Sequence, residues 1–334
     1  MYARFLLKTS HFGWTFDILF PFSHCNTVYA YILCMYCENV IVYQKSISKF
    51  FVQKISRAYC KKTEDKMKVI VMDMDGTLLN DDKKVTEYTK NVLRDMKKRG
   101  MRIGIASGRP IIGVKRTVEN LGISDIIQFM IASNGAELFD VEDKEKKDFY
   151  KLDVDTIFEI IDEYEQFDLN PYVYQGEDCY AARNDSTIER AARNNHLGIH
   201  LCDMKKEVTT PQSKLVLSTP PEKMESVEKF YEEHKSEKYR AFKSQADMFE
   251  FVHPKLSKVY GIRYYCEKYG YDISQVVAFG DTTNDLEMVR DCGTGVCMCN
   301  GTDDVKAVAD IITTDSNDED GLAKTLKEII NNVN

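Results

Sequence analysis

The chain lacks an apolar run long enough to cross a membrane as a helix. Such a helix needs about 20 predominantly apolar residues, and the best candidate, Val28 to Cys37, falls short and is approached through Asp17, Pro21, His24 and Asn26. The basic start, single apolar block and small-residue cleavage site that together mark a secretory signal are not found either. Basic residues are in deficit. With 45 Lys+Arg against 53 Asp+Glu the net charge is -8, the opposite of the basic stripe that nucleic-acid surfaces carry. Neither a membrane partner nor a nucleic-acid partner is expected. The ten cysteines form no framework: Cys34 and Cys37 make a single C-x-x-C, with no second pair at zinc-like spacing. Cys297 and Cys299 flank Met298 in an apolar stretch, where packing is their expected role. Nothing here calls for an oxidising compartment, and the expected location is cytoplasmic. Internal repeats and low-complexity tracts are missing as well.

At 334 residues and 38.5 kDa there is room for two domains and a substantial core. Residues 1 to 66 differ from the remainder. They hold the only tryptophan, Trp14, show no sustained helical or strand periodicity, and carry nine Lys+Arg against four Asp+Glu, leaving a net charge of -13 on the rest. They read as a doubtful N-terminal extension that contributes nothing to chemistry, with Met67 the expected functional start.

From Met67 the pattern becomes regular. Strand Val69 to Met72, helix Glu87 to Lys98, strand Arg102 to Ala106, helix Ile111 to Asn120 and strand Gln128 to Ala132 alternate, which implies a parallel sheet covered on both faces. Around Leu152 the rhythm changes. Helices Asp155 to Gln166, Ser186 to Asn195 and Glu222 to His234 mix with short strands near Tyr172 to Gln175, Cys179 to Ala182, Lys214 to Ser218, Tyr239 to Lys243 and Met248 to Val252. Alternation returns with helix Lys258 to Lys268 and strand Gln275 to Phe279. The expected fold is therefore α/β: a Rossmann-like parallel-sheet core, residues 67–151 and 254–334, with an α+β cap inserted at 152–253.

Asp73 and Asp75 are the most informative residues. The apolar run Val69-Ile70-Val71-Met72 delivers them two positions apart, and Gly76 and Thr77 follow at once. In an extended strand residues i and i+2 project to the same side, so both carboxylates leave the strand's carboxyl end together. Strand ends of this kind are where open α/β sheets place their chemistry. Alone, Asp-x-Asp-Gly reads equally well as a polar turn. Three further segments stand in order behind it: Ile103-Gly104-Ile105-Ala106-Ser107-Gly108-Arg109-Pro110, the helix opening Ser257-Lys258, and Val276-Val277-Ala278-Phe279-Gly280-Asp281-Thr282-Thr283-Asn284-Asp285. On these motifs, with Ser133-Asn134-Gly135-Ala136 and Ser316-Asn317-Asp318-Glu319-Asp320-Gly321, the chain from Met67 onward resembles the haloacid dehalogenase superfamily phosphatases, specifically the Cof-type branch with a large second-type cap. One departure is visible. The family often has glycine directly after the lysine, whereas Lys258 is followed by Val259-Tyr260-Gly261, which puts the local helix packing in question.

The resemblance implies Asp73 as a nucleophile that forms an aspartyl phosphate and Asp75 as the acid and base that serves both half-reactions. Like charge is the physical obstacle: a carboxylate about 4 Å from one phosphate charge meets roughly 4 kcal/mol of repulsion at an effective dielectric near 20. A hard, octahedral Mg²⁺ relieves this. The resemblance implies the Asp73 side chain, the Asp75 backbone carbonyl and the Asp281 side chain as its ligands, with Asp285 behind them. Thr77, Ser107, Gly108, Lys258 and Asn284 are the implied phosphate-binding residues; Ser107 and Gly108 open a helix, an anion-friendly place. Asn134 is a weaker candidate for orienting substrate or Asp75. In the cap, Tyr174, Gln175, Glu177, Asp178 and Arg183 lie around a predicted hairpin. The implied activity is Mg²⁺-dependent hydrolysis of a small phosphorylated metabolite such as a sugar phosphate or phosphorylated cofactor. A phosphomutase using the same two aspartates, or a ligand-binding regulator on the same fold, are the alternatives.

Overall fold

The computed structural model describes residues 2–8, 15–21 and 67–331. Met1–Tyr59 and Cys60–Asn334 are two compact units. In the first, β1 (Tyr2–Lys8) pairs antiparallel with β2 (Thr15–Pro21), Tyr2 opposite Pro21 and Lys8 opposite Thr15. The sequence reading expects no element there; the aromatic and branched residues of both segments suit extended backbone. Cys34, Cys37 and the run Val28 to Cys37 lie outside the described residues.

In the second unit β3 (Val69–Met72) leads to α1 (Glu87–Lys98), β4 (Arg102–Ala106), α2 (Ile111–Asn120) and β5 (Phe129–Ala132). β6 (Glu137–Asp140) and β7 (Glu145–Asp148) follow as a hairpin. Then come α3 (Val154–Glu163), β8 (Asn170–Gln175), β9 (Asp178–Ala181), α4 (Ser186–Asn195), β10 (Gly198–Leu201), α5 (Met204–Glu207), β11 (Leu215–Ser218), α6 (Pro221–Glu233), β12 (Arg240–Gln245) and β13 (Met248–Val252). The chain ends with α7 (Lys258–Tyr269), β14 (Val276–Gly280), α8 (Leu286–Asp291), β15 (Thr294–Cys297), α9 (Asp303–Lys306), β16 (Ile311–Ile312) and α10 (Gly321–Asn331).

The core sheet has the order β16-β15-β14-β3-β4-β5-β6-β7, parallel from β16 to β5 and antiparallel at the β5-β6-β7 edge. All four β3 residues are buried, as a parallel strand covered on both faces demands. Ile70 and Met72 face Leu93, Val114 and Leu326 of α1, α2 and α10. Val69 and Val71 share the opposite face with Ile262 and Tyr265 of α7 and Val289 of α8. The helices begin where their caps say they should: the Thr86 side chain accepts from Thr89 N–H at the start of α1, and Lys97 and Lys98 occupy its last turn.

The inserted cap forms its own sheet, β10-β9-β8-β11-β13-β12, in which only β10 and β9 run parallel. Leu215, Leu217, Phe249 and Phe251 pack on one face with Ile157, Ile160 and Val227. Tyr172, Val216 and Met248 pack on the other with Ile188 and Ala192 of α4.

The α/β core with an inserted α+β cap is the architecture the period change predicts. The sequence reading sets no element at the β6–β7 hairpin, at β10 and α5, or at α8, α9, β16 and α10. β7 is Glu145-Lys146-Lys147-Asp148, all exposed, so it carries no apolar alternation and exists only through its pairing with β6. β10 is a four-residue edge strand held by β9 alone.

Candidate active site

Four adjacent strands, β14, β3, β4 and β5, end side by side, and the residues after each converge at the sheet's carboxyl edge. Asp73, just past β3, is pinned to β14 by its backbone N–H, which donates to Phe279 O at 2.9 Å, and its Oδ1 accepts from Lys258 Nζ at 2.6 Å. The same ammonium reaches Asp285 Oδ1, also at 2.6 Å. All three side chains are buried. Burial, together with Asp285 and Asp75, pushes the Asp73 carboxyl up to about 7 even though Lys258 pulls the other way. Burial alone would depress Lys258, yet Asp285 and Asp73 raise it above its ordinary value. The Lys258 ammonium thus stands between the side chains of Asp73 and Asp285, 2.6 Å from each.

Asp281, past β14, accepts from the Thr77 hydroxyl at 2.7 Å. Burial first, then Asp285 and Asp73, push its carboxyl up to about 8. Asp285 Oδ2 accepts the backbone N–H groups of Asp281 (3.0 Å) and Thr282 (3.2 Å), so this residue shapes the loop that presents Asp281 while its other oxygen holds Lys258. Gly76 is required between the two aspartates and Thr77. Its φ is +81°, and a Cβ there would stand 2.4 Å from Asp281 Oδ2.

One carboxylate oxygen each from Asp73, Asp281 and Asp285 lie within 4.8 Å of one another. A compact all-oxygen donor set of this kind suits a hard divalent cation. Asp75's side chain is not in that cluster. It points instead to Arg109, whose Nε donates to Oδ2 at 2.8 Å and Nη2 to Oδ1 at 2.9 Å, while Lys83 Nζ donates to Oδ1 at 3.0 Å. Burial opposes ionisation of Asp75, but the Arg109 fork and Lys83 outweigh it and bring the carboxyl down to about 2.

Ser107 follows β4 and is buried; its Oγ accepts from the Arg109 N–H at 3.2 Å, a tight turn before α2. A Cβ on Gly108 would lie 3.1 Å from Asn134 Oδ1 and 3.5 Å from Asn284 Nδ2, which brings these three residues to one spot. Asn284 donates to Asn134 Oδ1 at 3.2 Å. Asn134 does not orient Asp75. Its Nδ2 donates across to Glu250 Oε2 of β13 at 2.8 Å, so it ties the core loop to the cap. Ser133 and Asn134 both adopt left-handed backbone, with φ of 49° and 55°, a costly conformation for non-glycine residues that functional sites tolerate.

The helix carrying Lys258 docks without a glycine at 259. The close approach is met two positions later: a Cβ on Gly261 would stand 2.8 Å from Ile131 Cγ2. The Val259 side chain is itself buried.

Two residues that the structure ties to the candidate site escaped the sequence reading. Arg109 stands in a quoted motif, yet its partner lies 34 positions away. Glu250 sits in an apolar strand where its charge was the only signal; it takes Lys214 Nζ at 2.9 Å, Ser244 Oγ at 2.8 Å and Asn134, all but buried. Of the cap-hairpin residues, Tyr174 and Glu177 line a cavity of about 330 Å³ between core and cap, with Ile111, Ser133, Glu137 and Lys214. Gln175 accepts from Gln212 at 2.9 Å, Arg183 pairs with exposed Asp168 at 2.8 Å, and Asp178 pairs in β9 with Gln175 and Gly198.

Comparison with known proteins identifies the family. The haloacid dehalogenase-like hydrolase family matches residues 70–326, and the chain belongs to that family. It is 27% identical over 270 residues to the 5-amino-6-(5-phospho-D-ribitylamino)uracil phosphatase YitU of Bacillus subtilis, covering 79% of this chain and 98% of that one. It is 27% identical over 292 residues to the phosphatase YwpJ of the same organism, covering 79% and 100%. Among solved structures, a haloacid dehalogenase-like hydrolase from Bacteroides thetaiotaomicron superposes with a TM-score of 0.70 at 28% identity, covering 79% of this chain and all of that one.

Proposed function

We propose that this protein hydrolyses small phosphomonoesters through an aspartyl-phosphate intermediate, with Mg²⁺ as cofactor. The observation that carries the reading is Lys258 held at 2.6 Å from both Asp73 and Asp285, beside Asp281. An ammonium fixed against the nucleophile offsets the charge that otherwise repels a phosphate. Asp73 attacks phosphorus while the alcohol oxygen leaves. Ser107, Gly108, Thr77 and Asn284 surround the phosphoryl oxygens, the first two at the start of α2. Asp73, Asp281 and the Asp75 carbonyl would hold the cation, which supplies, when bound, neutralisation of the phosphoryl charge. Asp285 positions Lys258 and the Asp281 loop.

Asp75 has two tasks. Paired with Arg109 and Lys83 it is the carboxylate, the form that takes a proton from the attacking water. Donating a proton to the leaving oxygen requires it to come away from the Arg109 fork, so the two half-reactions call for two placements of one side chain.

The cavity between core and cap is where the leaving group is held, and its charged and hydroxyl lining suits a polyhydroxylated metabolite. Phosphatase relatives, one named for a phosphoribityl substrate, support that class. The described cysteines are free thiols, and no described helix is long and apolar enough to cross a membrane; a cytoplasmic setting belongs to this reading.

The test is release of inorganic phosphate from a panel of small monoesters with Mg²⁺. Turnover should vanish with EDTA and return with Mg²⁺, and Asp73→Asn should remove it while leaving the fold intact. Wild-type turnover in that variant, deamidation excluded, ends the covalent reading.

A further inference from the structure

We propose that His200, Cys202 and Glu207 form a second cation site, on the cap, that takes a borderline-soft divalent ion of the Zn²⁺ type. The proposal does not depend on the phosphatase reading. One donor atom from each residue lies within 4.8 Å of the others. The donors are imidazole nitrogen, sulfur and carboxylate oxygen, a set that zinc accepts and Mg²⁺ does not favour. Mg²⁺ belongs with the all-oxygen cluster at Asp73.

Local structure builds this chelate from one short segment. β10 sets His200 on the edge strand, and its ring packs on Tyr180 with centroids 4.4 Å apart, which fixes the imidazole's direction. Cys202 extends the strand: its N–H donates to Ala181 O at 3.0 Å. The Asp203 side chain then caps α5 by accepting from Lys205 N–H at 3.1 Å, and the single turn of α5 carries Glu207 back over the strand. His200 Nε2 and Glu207 Oε2 meet at 2.7 Å. A divalent ion bound between those two atoms takes the place of their hydrogen bond.

A surface His–Glu pair is common; the thiol as third donor is what sets this cluster apart. Cys202 is a free thiol whose sulfur neighbour is Met204 Sδ at 4.0 Å. Burial, Glu207 and Asp203 push that thiol above its ordinary value. The negative surroundings that hinder a bare thiolate are the ones that attract a cation. On binding, the thiol proton passes to solvent, the neutral imidazole carries its one proton on Nδ1, and sulfur, Nε2 and the carboxylate oxygen each donate a pair. Three protein ligands leave a fourth position for water. The bound ion would staple the edge strand β10 to α5.

Co²⁺ is the probe, added to the full-length reduced protein with Mg²⁺ in large excess so that the aspartate cluster is engaged. The expected result is about one equivalent giving a sulfur-to-cobalt charge-transfer band in the near ultraviolet and the intense visible bands of four-coordinate cobalt, both bleached by Zn²⁺. Cys202→Ser should abolish the charge-transfer band, His200→Asn should weaken binding at least tenfold, and a Cys34→Ser/Cys37→Ser double variant should leave the spectrum unchanged. Phosphate release should be unaffected by Cys202→Ser. No such band in the wild type, or a band that survives Cys202→Ser, overturns the site. If Cys202→Ser fails to fold by circular dichroism, His200→Asn decides: wild-type cobalt affinity in that variant overturns it equally.

Discussion

Arg109 grips both carboxylate oxygens of Asp75, at 2.8 and 2.9 Å, while its Nη1 donates to the backbone carbonyl of Asn194 at the end of α4 at 2.6 Å. One side chain thus joins the aspartate proposed as acid and base to the carbonyl end of a cap helix, where a cation is favoured. Cap position and Asp75 placement are thereby coupled.

Arg109→Lys should recover little of what Arg109→Gln loses, because a point charge cannot span both oxygens and the helix end together. Turnover in both variants should fall by about tenfold or more, a part of the roughly 10²–10⁴-fold that a positioned acid–base group contributes. Steady-state kinetics on the preferred monoester checks this; a lysine variant with wild-type turnover would show that the fork is not needed.

Lys258→Met should be costly to stability as well as to turnover. Removing the ammonium leaves Asp73 and Asp285 buried together without it, a loss of about 3–5 kcal/mol by the usual behaviour of broken buried pairs. Urea unfolding of the metal-free protein measures it. Asp285→Asn, which keeps the shape and removes one carboxylate charge, should cost less than Lys258→Met; the reverse ranking would contradict the assigned balance.

Glu250→Gln should loosen the cap. Glu250 holds Lys214, Ser244 and Asn134 at once, so the variant leaves the Lys214 ammonium without its anion and weakens the bond that ties Asn134 to β13. We expect a stability loss of about 3 kcal/mol or more and a changed ranking of substrates, with Mg²⁺ dependence preserved. Unchanged substrate ratios across the panel would separate this network from specificity.

Asp247 supplies a pH signature away from the site. Burial would raise its carboxyl, but Arg190 at 2.5 Å and the Thr187 hydroxyl at 2.6 Å hold it below the ordinary range. A depressed folded-state value means that the stabilisation is present above the unfolded carboxyl value, about 3.9, and is lost as pH falls through the folded one. Asp247→Asn should therefore destabilise the protein at pH 7, by about 1 kcal/mol for a part-exposed pair, and the gap to wild type should close in acid. A gap that persists unchanged at low pH would mean packing, not charge, is what the aspartate contributes.

Much of the fold was legible because its signals are local. β3, β4, α1, α2 and α4 begin and end where the sequence reading sets them, since their apolar period and caps, such as Asp185 accepting from Ile188 N–H, are neighbours in the chain. The β6–β7 hairpin was not, because Glu145-Lys146-Lys147-Asp148 becomes a strand only through a partner. The motif residues were legible for the same local reason: each lies at the end of an apolar strand or the start of a helix.

What the sequence by itself determined is the set of groups: two aspartates two positions apart after a buried strand, a lysine opening a helix, and a carboxylate cluster after another strand. What only the tertiary structure decided is which charge each one meets. Asp73 and Asp75 are the same residue type in nearly the same local setting, yet burial beside Asp285 pushes one up to about 7, and a guanidinium 34 positions away brings the other down to about 2. The reason is physical: strand geometry and capping act between neighbours, whereas desolvation and Coulomb interaction depend on distances in space that the fold sets.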